Sequence, residues 1–399
     1  MSLADLLHGW TAVRPSAPVG PVADAASALE QLGARSVVET WDPHQLRVVA
    51  PTGRTSTATL DGWTGEWALR ARLEELGEPS LVPAGGVLCA YAGLRLAGAV
   101  LAGGRRRHNV GRLVEELLAG RAARGRIRPE LLRCDDGWVV ARFRDDGERE
   151  LLQAMAGPLD EAPVDGVVAE ARLAQLLVAA VRPPGPAARP AIHWQGTLDG
   201  ARSRPGPRPR VVDWTVLWAG PWATAELRRG GAEVLRLEHP RRRDGLLNSP
   251  GGAAWWKTLN GRKALTLLDA RDPRDHGRVA RELERADIAI TSMTPRSLAS
   301  LGFDDAWRAE RAPQLLHIEI VAFDEPSADI PGLGEQAAAE AGLLWRDGGE
   351  PAAPYSWPDP LVGAAALLVS GAWLASGRRR GGRVRLTLER AATTAAAAR

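Results

Sequence analysis

Cysteine and lysine are nearly absent from this 399-residue chain, and each scarcity removes a class of explanation. Only Cys89 and Cys134 occur, with no CxxC and no Cys/His cluster at metal-ligand spacing, so neither a disulfide framework nor a metal site is expected. A reduced, cytoplasmic setting fits. Lys257 and Lys263 are the only lysines, and a net charge of +3 therefore rests almost entirely on arginine, a bias that reads as GC-rich coding. Tyrosine and phenylalanine are scarce as well, at 2 and 3 against 15 tryptophans. Basic residues do not interleave with aromatics as they do in single-strand binders, so no nucleic-acid partner is expected. The opening MSLADLLHGWTAV has no basic segment followed by an apolar run, and no stretch reads as long enough to span a bilayer. A soluble protein without a membrane partner is expected.

What is present is organised by proline. Between Arg182 and Arg210 the segments RPPGPAARPA and RSRPGPRPR concentrate residues that lack a backbone donor and resist regular structure. The chain divides there into residues 1–181, a Pro/Arg-rich linker over 182–210, and residues 211–399. In the last block RVVDWTVLWAG reads as a strand entering a Gly-Pro turn, WATAELRRGG as a helix and AEVLRLE as a second strand. KALTLLD, DIAITS and QLLHIEIVAF continue as strands, with the amphipathic HGRVARELERA and a helix ending at Ala312 between them. Strands alternating with helices predict an α/β fold with an open, mostly parallel sheet covered by helices. The first block offers strands in SVVETWD, QLRVVAP and GWVVARFR and helices near 23–33, 84–102 and 110–122. It is expected to hold a second, smaller α+β unit.

The stretch from Gly77 to Arg107 resembles the one from Gly349 to Arg380: both open Gly-Glu-Pro, continue as a small-residue helix and close Gly-Arg-Arg-Arg. The matched ends favour duplication over the chance likeness of two Ala-rich helices. The clusters Arg105 to Arg107 and Arg241 to Arg243 read as solvated surface runs, with bidentate phosphate binding as the alternative.

The order of several weak motifs from Val211 to Glu389 carries a family resemblance. VLWAGPWATAEL with GAEVLRLEHP, then LNGRKALTLL, ADIAITSMTPRSLASLGF, PGLGEQAAAEAGLL and GRVRLTLERA resemble successive segments of the family III CoA-transferases, the CaiB/BaiF type. The resemblance implies a Rossmann-like core and coenzyme A or an acyl-CoA as substrate. It also implies CoA contacts at Trp218, Ala219, Gly220, Pro221, His239, Arg262, Lys263, Ser292 and Met293. Backbone donors at a Gly-rich turn and helix N-terminus suit a pyrophosphate, although Gly220-Pro221 also fits an ordinary helix start.

In the family a loop aspartate attacks the thioester and forms a mixed anhydride. Here the frame runs Pro331, Gly332, Leu333, Gly334, then Gly342 and Leu343, so Gly334 stands at the nucleophile's place. Glu335 or Glu340 could substitute, but acidic residues at such spacing more often form the solvated face of an Ala-rich helix. Val321-Ala322-Phe323-Asp324 replaces a glycine-rich loop, His239 an arginine and Ser292 an asparagine. His317 and Glu319 alternate onto one strand face and could form an acid-base pair, a satisfied buried histidine being the commoner role.

PELLRCDDGWVVARFRDDGERELLQAMAG, from Pro129 to Gly157, resembles the family's downstream segment placed ahead of the core, as in a permuted or fused tandem chain. In the first copy, at the family offset from Gly65, Thr57 stands where the nucleophile would be, and Asp61 reads as a turn aspartate. Three functions follow. The first is a partner subunit of an acyl-CoA:carboxylate CoA-transferase, as a homodimer or paired with an Asp-bearing homologue. The second is a repurposed enzyme acting on a small activated acyl substrate. The third is a non-catalytic scaffold.

Overall fold

Apolar strands bounded by glycine and proline pair where both of their faces can be covered. In the computed structural model, which describes residues 5–40, 42–61, 68, 72, 74–76, 87–101, 105–120, 129–185, 194–202, 206, 208–248, 251–377 and 380–397, three sheets form. The Gly-Glu-Pro start of the first repeat, Gly65, and most of the proline-rich stretch up to residue 193 lie outside the described residues.

The first sheet is built from β1 (Thr11–Pro15), β2 (Arg35–Glu39), β3 (Gln45–Val49), β4 (Thr55–Asp61) and β5 (Arg105–Asn109), in the order β2-β1-β3-β4-β5. Helices α1 (Gly20–Gln31), α2 (Val87–Leu101) and α3 (Val110–Leu118) accompany it. The arginine run at 105–107 is therefore strand, parallel to β4, and Asp61 ends β4 in an ion pair with Arg107 at 2.9 Å instead of forming a turn. A small antiparallel sheet follows from β6 (Glu130–Arg133), β7 (Trp138–Arg142) and β8 (Leu177–Ala180), with α4 (Asp146–Ala156) and α5 (Val164–Leu173). Asp145 caps α4 by accepting from the Glu148 N–H. Asp136 anchors α5 by accepting from the Val164 N–H at 2.7 Å.

The third sheet is the expected one. β9 (Trp194–Thr197), β10 (Arg210–Trp214), β11 (Glu233–Glu238), β12 (Ala264–Leu267), β13 (Ile288–Thr291), β14 (Leu316–Val321) and β15 (Gly382–Thr387) line up as β12-β11-β10-β13-β14-β15-β9. All pair in parallel except β9, which closes the edge antiparallel to β15 from within the proline-rich stretch. Omitting β9, the order is 3-2-1-4-5-6, the doubly wound arrangement whose chain reverses direction between its first and fourth strands. Helices α6 (Ala219–Arg229), α7 (Gly252–Asn260), α8 (Pro273–Arg285), α9 (Pro295–Ser300), α10 (Asp305–Arg311), α11 (Gly334–Glu340), α12 (Pro358–Ala375) and α13 (Leu388–Ala397) complete it. Asp272, Thr294 and Asp304 cap α8, α9 and α10.

The first and third sheets share a pattern. β1-α1-β2 and β10-α6-β11 are both parallel right at the chain's entry, and α2-β5-α3 corresponds to α12-β15-α13 at the exit. Between them the first sheet has a β3-β4 hairpin where the third has β13 and β14 joined by helices. The two resembling helices, α2 and α12, pack directly on one another.

Against the sequence-based expectation, α12 is long and apolar enough by length and composition to cross a membrane. It is instead 78% buried inside the fold, against α2, α6 and α13. Gly363 lets it approach α6, because a Cβ there would meet the Ala219 carbonyl oxygen at 2.8 Å and the Trp222 ring at 3.0 Å. Gly363→Leu should separate α12 from α6 and cost about 1–3 kcal/mol, read as a lower urea midpoint. An unchanged midpoint would contradict this packing.

Candidate functional site

Because β10 and β13 send their following segments to opposite faces, a crevice opens beyond their C-terminal ends, the usual ligand position in such sheets. Here it holds a cleft of about 660 Å³ adjoining a smaller cavity of about 200 Å³. Leu177, Leu217, Leu333 and Asp359 line both and form the wall between them.

The crevice is set by a buried ionic cluster under α6. Asp213, at the end of β10, meets Lys263 Nζ at 2.8 Å and Arg236 at 3.2 Å. Lys263 also donates to the Pro221 carbonyl, Thr224 Oγ1 and Asn260 Oδ1 at 2.7–2.8 Å. Arg236 reaches Glu238 at 2.6 Å and Asp244 at 2.7 Å. Burial by itself raises the Asp213 carboxyl, but Lys263 and Arg236 outweigh it and hold the group well below the usual carboxylate range. Burial lowers Lys263 to about 8 despite Asp213. Asp244 then accepts from the Leu217 N–H at 3.1 Å and holds this non-glycine residue at φ 64°, a conformation that L-residues seldom adopt. Gly220 sits in the first turn of α6, where a Cβ would lie 2.4 Å from Thr215. Its role in the fold is this close approach.

The residues that the resemblance assigns to CoA divide accordingly. Trp218 lines the cleft, in edge-on contact with Trp255 and Tyr355 at 6.2 and 6.0 Å. Ala219, Gly220, Ser292 and Met293 line the smaller cavity, and Ser292 Oγ accepts from the Val216 N–H at 3.0 Å. Lys263 is buried in the ionic cluster, and Pro221 contributes its carbonyl to that lysine. Arg262 borders a different depression at the N-terminal ends of β10, β11 and β12. His239 accepts from the backbone N–H groups of Arg241 and Arg242 at 3.0 Å and approaches Asp269 at 3.3 Å. The core sheet thus gives the crevice little cationic lining among the described residues, since Lys263 is spent on holding α6.

Positive charge comes from the small sheet instead. Arg142, at the end of β7, donates to Glu335 Oε1 at 2.6 Å, and Ser356 Oγ donates to Glu335 Oε2 at 2.5 Å. Glu335 is thus buried and ion-paired, not solvated, since β7 and β8 lie against the face of α11 that the helical pattern left open. Glu340 accepts from the Ala180 N–H at 3.3 Å and faces Arg182 and Arg172 at 3.6 and 3.7 Å. Both glutamates serve the join between the small sheet and α11. His317 pairs with Thr291 Oγ1 at 2.9 Å and lies 3.9 Å from Glu319, which Arg385 holds at 3.0 Å. Burial lowers the histidine's pKa, so it is a satisfied neutral core group.

Asp359 is the residue that the sequence reading missed. It stands in the first turn of α12, buried, with Oδ2 lacking a hydrogen-bond partner among the described residues. Burial first, and the Glu335 charge second, raise its carboxyl to about 7, while the Ala219 backbone N–H and Arg142 pull it down. One signal was available: Asp359 is the sole ionisable residue within α12.

Fold and crevice together define a doubly wound α/β core with a largely apolar, partly aromatic cleft at its switch point. Residues 209–395 match CoA-transferase family III, and over that segment the resemblance read from the motifs holds. The succinyl-CoA–D-citramalate CoA-transferase of Chloroflexus aurantiacus is 29% identical over 150 residues, 34% of this chain and 37% of that protein. The formyl-CoA:oxalate CoA-transferase of Escherichia coli is 28% identical over 164 residues, 40% of this chain and 38% of the relative. A succinyl-CoA–L-malate CoA-transferase beta subunit of Chloroflexus aurantiacus is 27% identical over 158 residues, covering 37% and 39%. The chain spans well under half the length of these relatives. Among solved structures, a hypothetical protein from Mycobacterium tuberculosis aligns with TM-score 0.43 and 25% identity over 49% of this chain and 57% of its own. A CaiB/BaiF family protein from Brucella suis gives TM-score 0.39 and 20% identity over 46% and 53%.

Proposed function

We propose that this chain binds an acyl-CoA in the crevice above β10 and β13 and exchanges CoA between acyl groups and carboxylates, in a cytoplasmic setting. The family match over residues 209–395 carries the reading, and the crevice at the switch point supports it. CoA is substrate here. The backbone at the start of α6 would face its pyrophosphate, and Trp218, Trp255 and Tyr355 would bound an apolar acyl or pantetheine portion. Arg142 and Arg144 would supply positive charge from the small sheet. The particular acyl group is left open by this lining.

A ligand that binds only the folded chain adds RT ln(1 + [L]/Kd), about 2.7 kcal/mol at a hundredfold excess over Kd. Millimolar CoA should therefore raise the melting temperature. No shift would instead favour a scaffold without ligand.

Gly334 favours a second reading, in which the chain is a partner subunit that needs an aspartate-bearing homologue, because a glycine has no group to acylate. CoA exchange assayed on the isolated chain and on its mixture with such a homologue separates the two. Exchange only in the mixture supports the partner role, and full exchange by the isolated chain rules it out.

A further inference from the structure

Gly334 removes the nucleophile from one backbone position without leaving that point in space empty of a carboxyl. A Cβ built on Gly334 would fall 2.1 Å from Asp359 Oδ2 and 2.8 Å from the Ser356 Cβ. The Asp359 carboxyl therefore occupies the volume that a side chain at residue 334 would need, and a residue larger than glycine there would displace it. It arrives from a different element, the first turn of the long buried helix α12, instead of from the start of α11. It also forms part of the wall shared by the cleft and the smaller cavity. Oδ2 is a buried acceptor with no partner among the described residues, an arrangement that costs stability and that folding does not require. Glu335, directly beside it, is satisfied by Arg142 and Ser356, so the two carboxyls are in different states.

We propose that Asp359 is the acyl-accepting nucleophile of this chain, taking over from the vacant position at Gly334. The proposal rests on the CoA-exchange reading above. The chemistry balances without any further reactant. A carboxylate oxygen of Asp359 adds to the thioester carbonyl carbon, the C–S bond breaks, and CoA leaves as its thiolate, giving an acyl-aspartyl anhydride. The thiolate attacks the aspartyl carbonyl, the first acyl group departs as its carboxylate, and an aspartyl-CoA thioester remains. An incoming carboxylate expels the thiolate again and forms a second anhydride. Attack of the thiolate on the new acyl carbon then releases the new acyl-CoA and restores Asp359. No net proton is consumed.

Gly334 therefore has a positive role: its missing Cβ leaves room for the Asp359 carboxyl in the wall that the cleft and the smaller cavity share. The charged and titratable groups that face Asp359 are Glu335 and Arg142, with the Ala219 N–H at the start of α6. The anionic form grows as pH rises through about 7, and exchange should rise with it.

The test uses the full chain with acetyl-, succinyl- and benzoyl-CoA as probes, followed by hydroxylamine, which converts an acylated aspartyl group into a stable hydroxamate, and by peptide mapping. The expected result is modification of Asp359 and, in Asp359→Asn, loss of exchange by roughly 10⁴-fold or more with CoA still raising the melting temperature. In Gly334→Asp/Asp359→Gly, which moves the carboxyl to the other backbone, the modification should move to residue 334. Modification of Glu335 or Glu340, or CoA binding without any modified carboxyl, overturns the assignment of Asp359 while leaving the CoA reading standing. Absence of both binding and modification overturns the CoA reading and this assignment together.

Discussion

Asp213→Ala should lower the stability of the core by about 3–5 kcal/mol, because it leaves Lys263 and Arg236 buried without the carboxylate that both share. Neither cation can reach water: their side chains are 1% and 0% exposed. Lys263 would retain only neutral partners, the Pro221 carbonyl, Thr224 and Asn260, and would lose its proton more readily. Arg236 would keep Glu238 and Asp244. Urea unfolding at pH 7 reads the effect, and a loss below about 1 kcal/mol would refute this account of the cluster. The consequence reaches the crevice. Lys263 ties the first turn of α6 to β10, and Asp244 fixes Leu217 through Arg236, so Asp213→Ala should also reduce the CoA-dependent rise in melting temperature. Asp213→Asn, which keeps the shape and some hydrogen bonds, should lose less.

Asp359→Asn should act in the opposite direction above neutral pH and make the protein more stable. In the folded chain the Asp359 carboxyl holds its proton up to about pH 7, against 3.8 for an exposed aspartate. Between those values the folded state binds more protons than the unfolded state, so wild-type stability falls as pH rises across this window and is level above it. The span corresponds to about 4 kcal/mol at most. Asparagine has no charge to bury, so the variant should match the wild type near pH 4 and exceed it by up to a few kcal/mol at pH 8. Urea midpoints measured from pH 4 to 9 would show this as diverging curves. Parallel curves would mean that Asp359 is ionised at little cost.

Much of the third sheet was legible in the residues. Strand runs such as AEVLRLE, DIAITS and QLLHIEIVAF fall within two residues of β11, β13 and β14, because each is a short apolar run stopped by polar or turn residues. Others were hidden by their composition. β5 is an arginine run and β9 lies in a proline-rich stretch, and both are strands because an adjacent strand offers its backbone partners, a property of the neighbour. Glu335 looked like a solvated residue for the same reason: the surface that buries it, β7 and β8, comes from far earlier in the chain, as the 193-residue separation of the Arg142–Glu335 pair records.

The sequence by itself determined that the chain from Val211 onward is a mostly parallel α/β core, that this segment follows the CoA-transferase family III pattern, and that residue 334 is a glycine. These are statements about local patterns and their order. Tertiary structure alone decided where the charges go. Lys263 is turned inward to hold α6, Arg142 is carried in from the small sheet, and the carboxyl of Asp359 fills the space beside Gly334. The physical reason is that burial and pairing depend on elements distant in the chain, and only the folded molecule brings them within a few ångströms of one another.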